Sequence, residues 1–322
     1  MAAAPNAAPP TRAELSSART RLRGHAHETP VLTCRTLDHL AGARLFFKAE
    51  NFQKVGAFKY RGAYNALASM TPEERALGVV TQSSGNHAQA VALAAREHGV
   101  AAHIVMPDNA PAVKVAAVEG YGAEIFFCQP TPAARDQAAR ELLAKTGGVL
   151  VHPFDDARVI AGASTAAQEL LEQVPDLELL VTPVGGGGLL SGTALAARAF
   201  GPGVRVVGAE PDGADDAHRS LRSGKIEKND QVDTIADGLR THLSPLTFGI
   251  LSREVEDIVT VGESEIISAM RLVFERMKVV IEPSAAVAVA AVLRGELAKN
   301  AKRIGIVLSG GNVDLDHLPF TL

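Results

Sequence analysis

The sequence predicts an α/β fold of two domains, each a mostly parallel, twisted sheet with helices on both faces. Its 322 residues are more than one hydrophobic core usually organises, so two domains are expected. From Val79 onward, short apolar runs alternate with longer amphipathic stretches, the pattern of parallel strands joined by helices. Small-residue loops follow three of those runs: Ser83-Ser84-Gly85-Asn86-His87, Gly185-Gly186-Gly187-Gly188 and Ser309-Gly310-Gly311-Asn312. A loop of that kind after an apolar run is the form expected of an anionic-cofactor site.

In chain order, residues 1–10 are rich in Ala and Pro and read as a disordered tail leading into a first helix. Residues 45–48 form a short apolar strand, followed by Glu50-Asn51-Phe52 and a lysine-bearing loop. Residues 61–70 predict a helix, and Thr71-Pro72-Glu73-Glu74 is the N-cap and first turn of another. The alternation then gives strands at 79–82, 100–106, 124–127 and 149–151, with helices at 87–98, 112–119 and 132–145 between them. Gly120, Gly122 and Gly147-Gly148 end helices here, and Glu141 with Lys145 has a favourable i,i+4 spacing. A second set follows: helix 160–174, strand 179–184, helix 189–200 and strand 204–207 running to Glu210. Residues 212–244 are polar and irregular; strand 258–261, helices 264–277 and 284–293 and strand 303–308 complete the chain.

Composition narrows the function. At 47% hydrophobic and 21% charged, the chain is an ordinary soluble globular enzyme by composition. A formal net charge of −4 makes no electrostatic case for nucleic acid or acidic membranes. Cys34 and Cys128 are too few for a disulfide framework or a thiolate metal site, which fits a reducing cytosol and a cytoplasmic protein. The longest apolar run, 285–293, is too short to cross a bilayer. Arg12, Arg19, Arg21 and Arg23 beside serines hint at a transit peptide, but no apolar signal core accompanies them.

The chemistry centres on Lys59, flanked by Phe58 and Tyr60 behind Gly56-Ala57. Apolar surroundings strip hydration from an ammonium and favour the free amine, which attacks aldehydes to form a Schiff base. A lone lysine would be read as a surface residue lying over apolar neighbours; the three small-residue loops shift that reading toward a covalent anchor. Gly185-Gly186-Gly187-Gly188 lets backbone N–H groups converge on an anion at a helix N-terminus, which suits a phosphate. Four glycines in a row cost backbone entropy with no packing return of their own. The spacing is neither a Walker loop nor GxGxxG, so ATP and NAD are poor candidates. The N–H groups of Ser83-Ser84-Gly85-Asn86-His87 would hold a substrate carboxylate, Ser84 would move a proton and Asn86 would bond a phenolic oxygen; an N-cap is the plain alternative. Ser309, at a strand end, would donate to a pyridine nitrogen or start a turn. His87 reads as a satisfied imidazole at a helix start, and His25, His27, His152, His218 and His242 lack ligand spacing.

These motifs, in this order, resemble the fold-type II (tryptophan synthase beta-like) pyridoxal-phosphate enzymes, and within them the serine racemase and serine/threonine dehydratase group, including 3-hydroxyaspartate dehydratases. The resemblance covers about residues 29–314, with Ala57 where the family commonly has Ser. It implies a Schiff-base Lys59 beside Phe58, a phosphate cup at Gly185, Gly186, Gly187 and Gly188, and Asn86 beside the cofactor's O3′. It also implies Ser309 as the pyridine partner, Glu282 of Glu282-Pro283-Ser284 near the cofactor, and substrate contacts from Ser83, Ser84, Gly85, Asn86 and His87. Glu210, Ala214 and Asp216 look like that group's divalent cation site, where oxygen ligands suit Mg²⁺ or Ca²⁺. A large domain of residues 1–79 and 153–322, a small mobile domain of 80–152 and a homodimer follow from the same resemblance. The expected reaction eliminates water from a β-hydroxy amino acid to give a 2-oxo acid and ammonia, with Lys59 and Ser84 as the catalytic pair. Three alternatives stay open: a serine racemase, a β-replacement synthase (which His87-Ala88 after the loop Asn argues against) and a non-catalytic amino-acid sensor.

Overall fold

The computed structural model describes residues 8–110 and 112–320, so the part of the expected tail at 1–7 lies outside the described residues. Ten strands form two sheets: β1 (Val31–Leu32), β2 (Arg44–Ala49), β3 (Val79–Gln82), β4 (Ala102–Pro107), β5 (Glu124–Cys128), β6 (Val149–Leu150), β7 (Leu179–Pro183), β8 (Arg205–Pro211), β9 (Asp257–Val261) and β10 (Arg303–Leu308). The larger sheet has the order β1-β2-β10-β7-β8-β9, parallel except at the β1–β2 edge. The smaller sheet, β5-β4-β3-β6, is parallel throughout. The helices are α1 (Arg12–Leu22), α2 (Arg35–Ala41), α3 (Lys59–Ala68), α4 (Pro72–Leu77), α5 (Asn86–His98), α6 (Ala112–Gly120) and α7 (Pro132–Thr146). The second half adds α8 (Ala157–Gln173), α9 (Gly188–Phe200), α10 (Asp216–Ser223), α11 (Pro245–Glu254), α12 (Glu263–Leu272) and α13 (Pro283–Leu293).

Side-chain alternation along the strands builds a core on each face of the larger sheet. Leu45, Phe47, Leu179, Val181, Ile304 and Ile306 point to one face, where α2, α12 and α13 cover them. Phe46, Leu180, Val206 and Ile258 point to the other, under α8 and α9. Helix α13 is apolar all round because it is enclosed by protein, with Ala285 to Val292 all buried. The smaller sheet repeats the scheme, with α5 and α6 on one face and α7 on the other. Among the described residues no helix is long and apolar enough to cross a membrane.

The structure departs from expectation at several helices. Helix α3 begins at Lys59 rather than at residue 61, because Phe58 already has helical torsions (φ −53°, ψ −22°). The helix expected at 264–277 is α-helical only to Leu272, then forms one π-helical turn, Val273–Met277, ended by Lys278 in the left-handed region. Helix α11 was absent from the sequence reading, although Ser244 and Thr247 cap it reciprocally and Pro245 sits at its first position.

One feature of the core carries charge. Arg61 is fully buried and forms two hydrogen bonds to Glu50 (2.7 and 2.8 Å) and two to Glu169 (both 2.8 Å). Lys48, also fully buried, donates to Glu169 at 2.7 Å and to the Thr29 carbonyl at 2.7 Å, and Arg19 adds a third cation on Glu169 at 2.8 Å. The cluster ties together α1, the end of β2, α3 and α8. Burial works against each of these charges, and the opposite charges around them keep Arg61 protonated and Glu169 ionised. Removing Glu169 leaves buried cations without their counter-charge, which costs about 3–5 kcal/mol. Urea unfolding of Glu169→Ala is therefore expected to show that loss, whereas Glu275→Ala, which breaks the exposed Arg271–Glu275 pair, changes stability by no more than about 0.5 kcal/mol.

Candidate active site

A cavity of about 510 Å³ lies between the two sheets. Four helices begin at its wall: α3 with Lys59, α5 with Asn86, α9 with Gly188 and α13 with Pro283 just after Glu282. Each presents the positive end of its dipole, so the cavity favours an anion. The expected residues Phe58, Lys59, Ser83, Ser84, Gly85, Asn86, His87, Gly185, Gly186, Gly187, Gly188, Glu282 and Ser309 all line it. Glu210, Ala214 and Asp216 do not; they form a separate buried group at the end of β8 and the start of α10.

Lys59 is half-buried, with its Nζ donating to the Pro153 carbonyl at 3.0 Å and lying 5.1 Å from the centre of the Phe58 ring. Loss of hydration lowers its pKa to about 8, and the Glu282 carboxylate opposes that shift. Glu282 is itself pushed up to about 7 by burial, partly offset by Asn86, whose Nδ2 lies 3.0 Å from both carboxylate oxygens. His87 donates from Nε2 to the Val151 carbonyl at 3.0 Å, and burial followed by the nearby Lys59 charge lowers its pKa to about 3. That imidazole stays neutral at physiological pH, but the expected satisfied ring is only half satisfied: its buried Nδ1 has no partner among the described residues. The Ser84 and Ser309 hydroxyls have no hydrogen-bond partner among the described residues, although Ser309 is only 3% exposed.

The glycine run has two uses, which corrects the expectation that it brings no packing return. A Cβ on Gly186 would overlap the Phe154 ring, one on Gly188 would come within 2.9 Å of Phe154 Cβ, and one on Gly185 within 2.8 Å of the Leu239 backbone. Gly187 also has φ +85°, where a side chain is strained. The N–H groups of Gly185, Gly186 and Gly187 have no acceptor among the described residues. A phosphate fits those donors, the Lys59 amine fits an aldehyde, and the Ser309 hydroxyl fits a ring nitrogen.

Several wall residues carried no sequence signal. Lys114, Arg135, Phe154 and the turn at 237–241 also line the cavity, beside Asn312 from the loop after β10. The turn comes from the stretch read as irregular, and reaches the site because Gly238 N–H donates to Ser284 Oγ at 3.0 Å while Ala236 and Leu239 bury in the core. Lys114 pairs with Asp237 at 2.9 Å across the two sheets, and the Arg135 guanidinium has no hydrogen bond or ion pair among the described residues. His152, read as ordinary, lies close enough to Lys59 for each charge to disfavour the other; burial is the larger cause of its lowered pKa.

The amine predicts a pH dependence. Only deprotonated Lys59 attacks an aldehyde, so its capture of pyridoxal phosphate, followed by borohydride reduction and peptide mapping, is expected to rise through about pH 8 rather than the 10.5 of free lysine. Glu282→Gln removes the charge that favours the ammonium and is expected to move this midpoint lower still. A midpoint near 10.5, or unchanged by Glu282→Gln, would contradict this account.

Comparison with known proteins agrees with this geometry. Serine racemase of Dictyostelium discoideum is 48% identical over 312 residues, covering 96% of each chain. Its crystal structure superposes with a TM-score of 0.91 at 47% identity, over 96% of this chain and all of that one. L-threo-3-hydroxyaspartate ammonia-lyase of Saccharomyces cerevisiae is 48% identical over 95% of this chain and 94% of its own. Residues 22–310 match the family described as pyridoxal-phosphate dependent enzymes, and the chain belongs to that family.

Proposed function

We propose that this chain is an ammonia-lyase that dehydrates a β-hydroxy amino acid to a 2-oxo acid and ammonia, and that its preferred substrate carries a second carboxylate. The carrying observation is the Lys59 amine, part-desolvated at the wall of a cavity that two unpartnered hydroxyls, Ser84 and Ser309, also line. Pyridoxal phosphate, when bound, supplies an electron-withdrawing ring that takes up the charge left at Cα. Gly185, Gly186 and Gly187 would hold its phosphate, Lys59 its aldehyde carbon, Asn86 its phenolic oxygen and Ser309 its ring nitrogen.

With the cofactor bound, Lys59 would be the base that takes the Cα proton. The loop from Ser83 to His87, at the start of α5, orients the substrate's α-carboxylate with its N–H groups. Because Ser309 is neutral, it would leave a ring nitrogen beside it less protonated than a carboxylate partner would, which suits loss of the β-hydroxyl. Water then converts the dehydrated product to the 2-oxo acid and ammonia. Arg135 supports the dicarboxylic preference, being a cation on the wall with no side-chain hydrogen bond or ion pair among the described residues. In a panel of L-serine, L-threonine and L-threo-3-hydroxyaspartate, 2-oxo acid release is expected to be fastest from the last. Arg135→Ala is expected to lower kcat/KM for 3-hydroxyaspartate by about 10- to 100-fold, the worth of a charged hydrogen bond, with a smaller effect on serine. Equal losses on both substrates would count against the assignment.

A second reading, racemisation, rests on Ser84. Its unpartnered hydroxyl suits it to return a proton to the face of Cα away from Lys59. Ser84→Ala is expected to abolish L-to-D conversion of serine, followed by chiral chromatography, while much of the elimination persists. Equal loss of both activities would make Ser84 a substrate-positioning residue.

The remaining features belong to the same reading. Glu210 and Asp216 are buried carboxylates whose pKa values are raised by burial, Glu210 well above the usual range and Asp216 to about 6. Asp216 Oδ2 has no hydrogen-bond partner among the described residues, while Glu210 accepts from the Ala217 and His218 N–H groups at 3.1 and 2.8 Å. Among the described residues no group of three or more His, Cys, Asp or Glu is placed to hold a metal, so a cation here would rely on these two carboxylates, the Ala214 carbonyl and water. Chelation is expected to lower the thermal midpoint and Mg²⁺ or Ca²⁺ to restore it; no response in a demetallated sample would argue against the site. A homodimer belongs to the same reading. The separate sheets support a small domain of about 80–152 moving against the rest, and the cysteine content supports a cytoplasmic location.

A further inference from the structure

The loop before Lys59 contains a strained residue. Val55 has φ +57° and ψ +16°, a left-handed conformation that is unfavourable for a β-branched side chain. It stands in a turn closed by Gly56 N–H donating to the Gln53 carbonyl at 2.9 Å, and four residues later Lys59 opens α3. The Val55 carbonyl accepts from Asn312 Nδ2 at 2.7 Å. The same Nδ2 donates to Asn86 Oδ1 at 2.9 Å, and Asn86 Nδ2 in turn faces Glu282. Asn312 also packs closely on the turn: a Cβ on Gly56, whose φ is +68°, would stand 2.6 Å from Asn312 Oδ1.

The direction of this chain is set at its ends. A backbone carbonyl only accepts, so it must meet the Nδ2 side of Asn312. The second hydrogen on that nitrogen then requires the oxygen of Asn86, which turns Asn86 Nδ2 toward the carboxylate. Without Asn312, the Asn86 amide would have no group that tells its two ends apart whenever Glu282 carries a proton. We propose that Asn312 is a positioning residue that fixes the amide orientation of Asn86 and holds the left-handed turn from which Lys59 is delivered. The inference rests on the reading of Asn86 and Lys59 as groups that hold the cofactor. It adds to that reading a single side chain joining the lysine loop, the start of α5 and the loop after β10.

The test is a double-mutant cycle on the full chain, read as the dissociation constant for pyridoxal phosphate and as the thermal midpoint. Asn86→Ala and Asn312→Ala are each expected to weaken cofactor binding about three- to tenfold, and the double variant by clearly less than the product of the two losses. Asn312→Asp keeps the shape but cannot donate, and is expected to weaken binding at least as much as Asn312→Ala. Val55→Gly makes the left-handed turn inexpensive; added to Asn312→Ala it is expected to restore the thermal midpoint but not the affinity. Native affinity in both Asn312 variants, additive losses in the double variant, or full recovery of affinity with Val55→Gly would each overturn the proposal. Native affinity in Asn86→Ala would instead overturn the reading of Asn86 on which it rests. Should Asn312→Ala alone fail to fold, the cycle is run in the Val55→Gly background with the same outcomes.

Discussion

The site depends on a charge cluster that it never touches. Arg61 lies two residues beyond Lys59 on α3, and a helix turns about 200° over two residues, so the two side chains leave on opposite sides. One side enters the cluster of Glu50, Glu169, Lys48 and Arg19; the other reaches the cavity. Buried ion pairs add little net stability over well-packed apolar groups, but they tolerate few geometries because each misplaced partner leaves a bare charge. A guanidinium gripped by two carboxylates restricts both the rotation and the axial position of α3. The register of the first turn, and with it the direction of Lys59, follows from that grip.

Inside the cavity the electrostatics favour an anion. Four helix N-termini, Lys59 and Arg135 supply positive potential, while Glu282 and Asp237 are the carboxylates at the wall. Lys59 at about pKa 8 and Glu282 at about 7 are both displaced toward neutrality by burial. An amine poised to react and a carboxyl able to carry a proton are the result. The paired Lys114 and Asp237 span the sheets, as do the bonds from Asn86 to Glu282 and from Asn312 to Asn86. The site is therefore assembled by the contact of two sheets, and a shift between them would change it directly.

The segment after β10 shows how tightly this assembly is built. Phe58 N–H donates to the Ser309 carbonyl at 3.0 Å, Gly311 N–H to the Gly56 carbonyl at 2.9 Å, and Glu282 N–H to the Gly310 carbonyl at 3.0 Å. A side chain on Gly310 would strike the Glu282 carboxylate at 2.5 Å. Backbone bonds thus hold the residues flanking Lys59 against the strand end that carries Ser309, and the absence of a side chain at Gly310 leaves room for Glu282. Residues separated by some 250 positions in the chain meet through main-chain atoms, which sequence variation leaves unchanged.

Much of this was legible in the sequence, because strand and helix periodicity are local properties. Residues 79–82 and 303–308 were read with the bounds of β3 and β10, and the small-residue loops after apolar runs marked three walls of the cavity. Lys59, Asn86, Ser309 and the glycine run could be named because their chemistry is carried by residue type and immediate neighbours. Other features were decided only by packing at a distance. Phe154 occupies the space left by Gly186, Gly238 is drawn in by Ser284, and Arg135 and Lys114 reach the wall because of how the smaller sheet lies on the larger. Val55 adopts a conformation its own side chain disfavours, because a hydrogen bond from Asn312, distant in sequence, holds it there. Local sequence sets the preferences of each segment; contacts between distant segments decide which of those preferences are overruled.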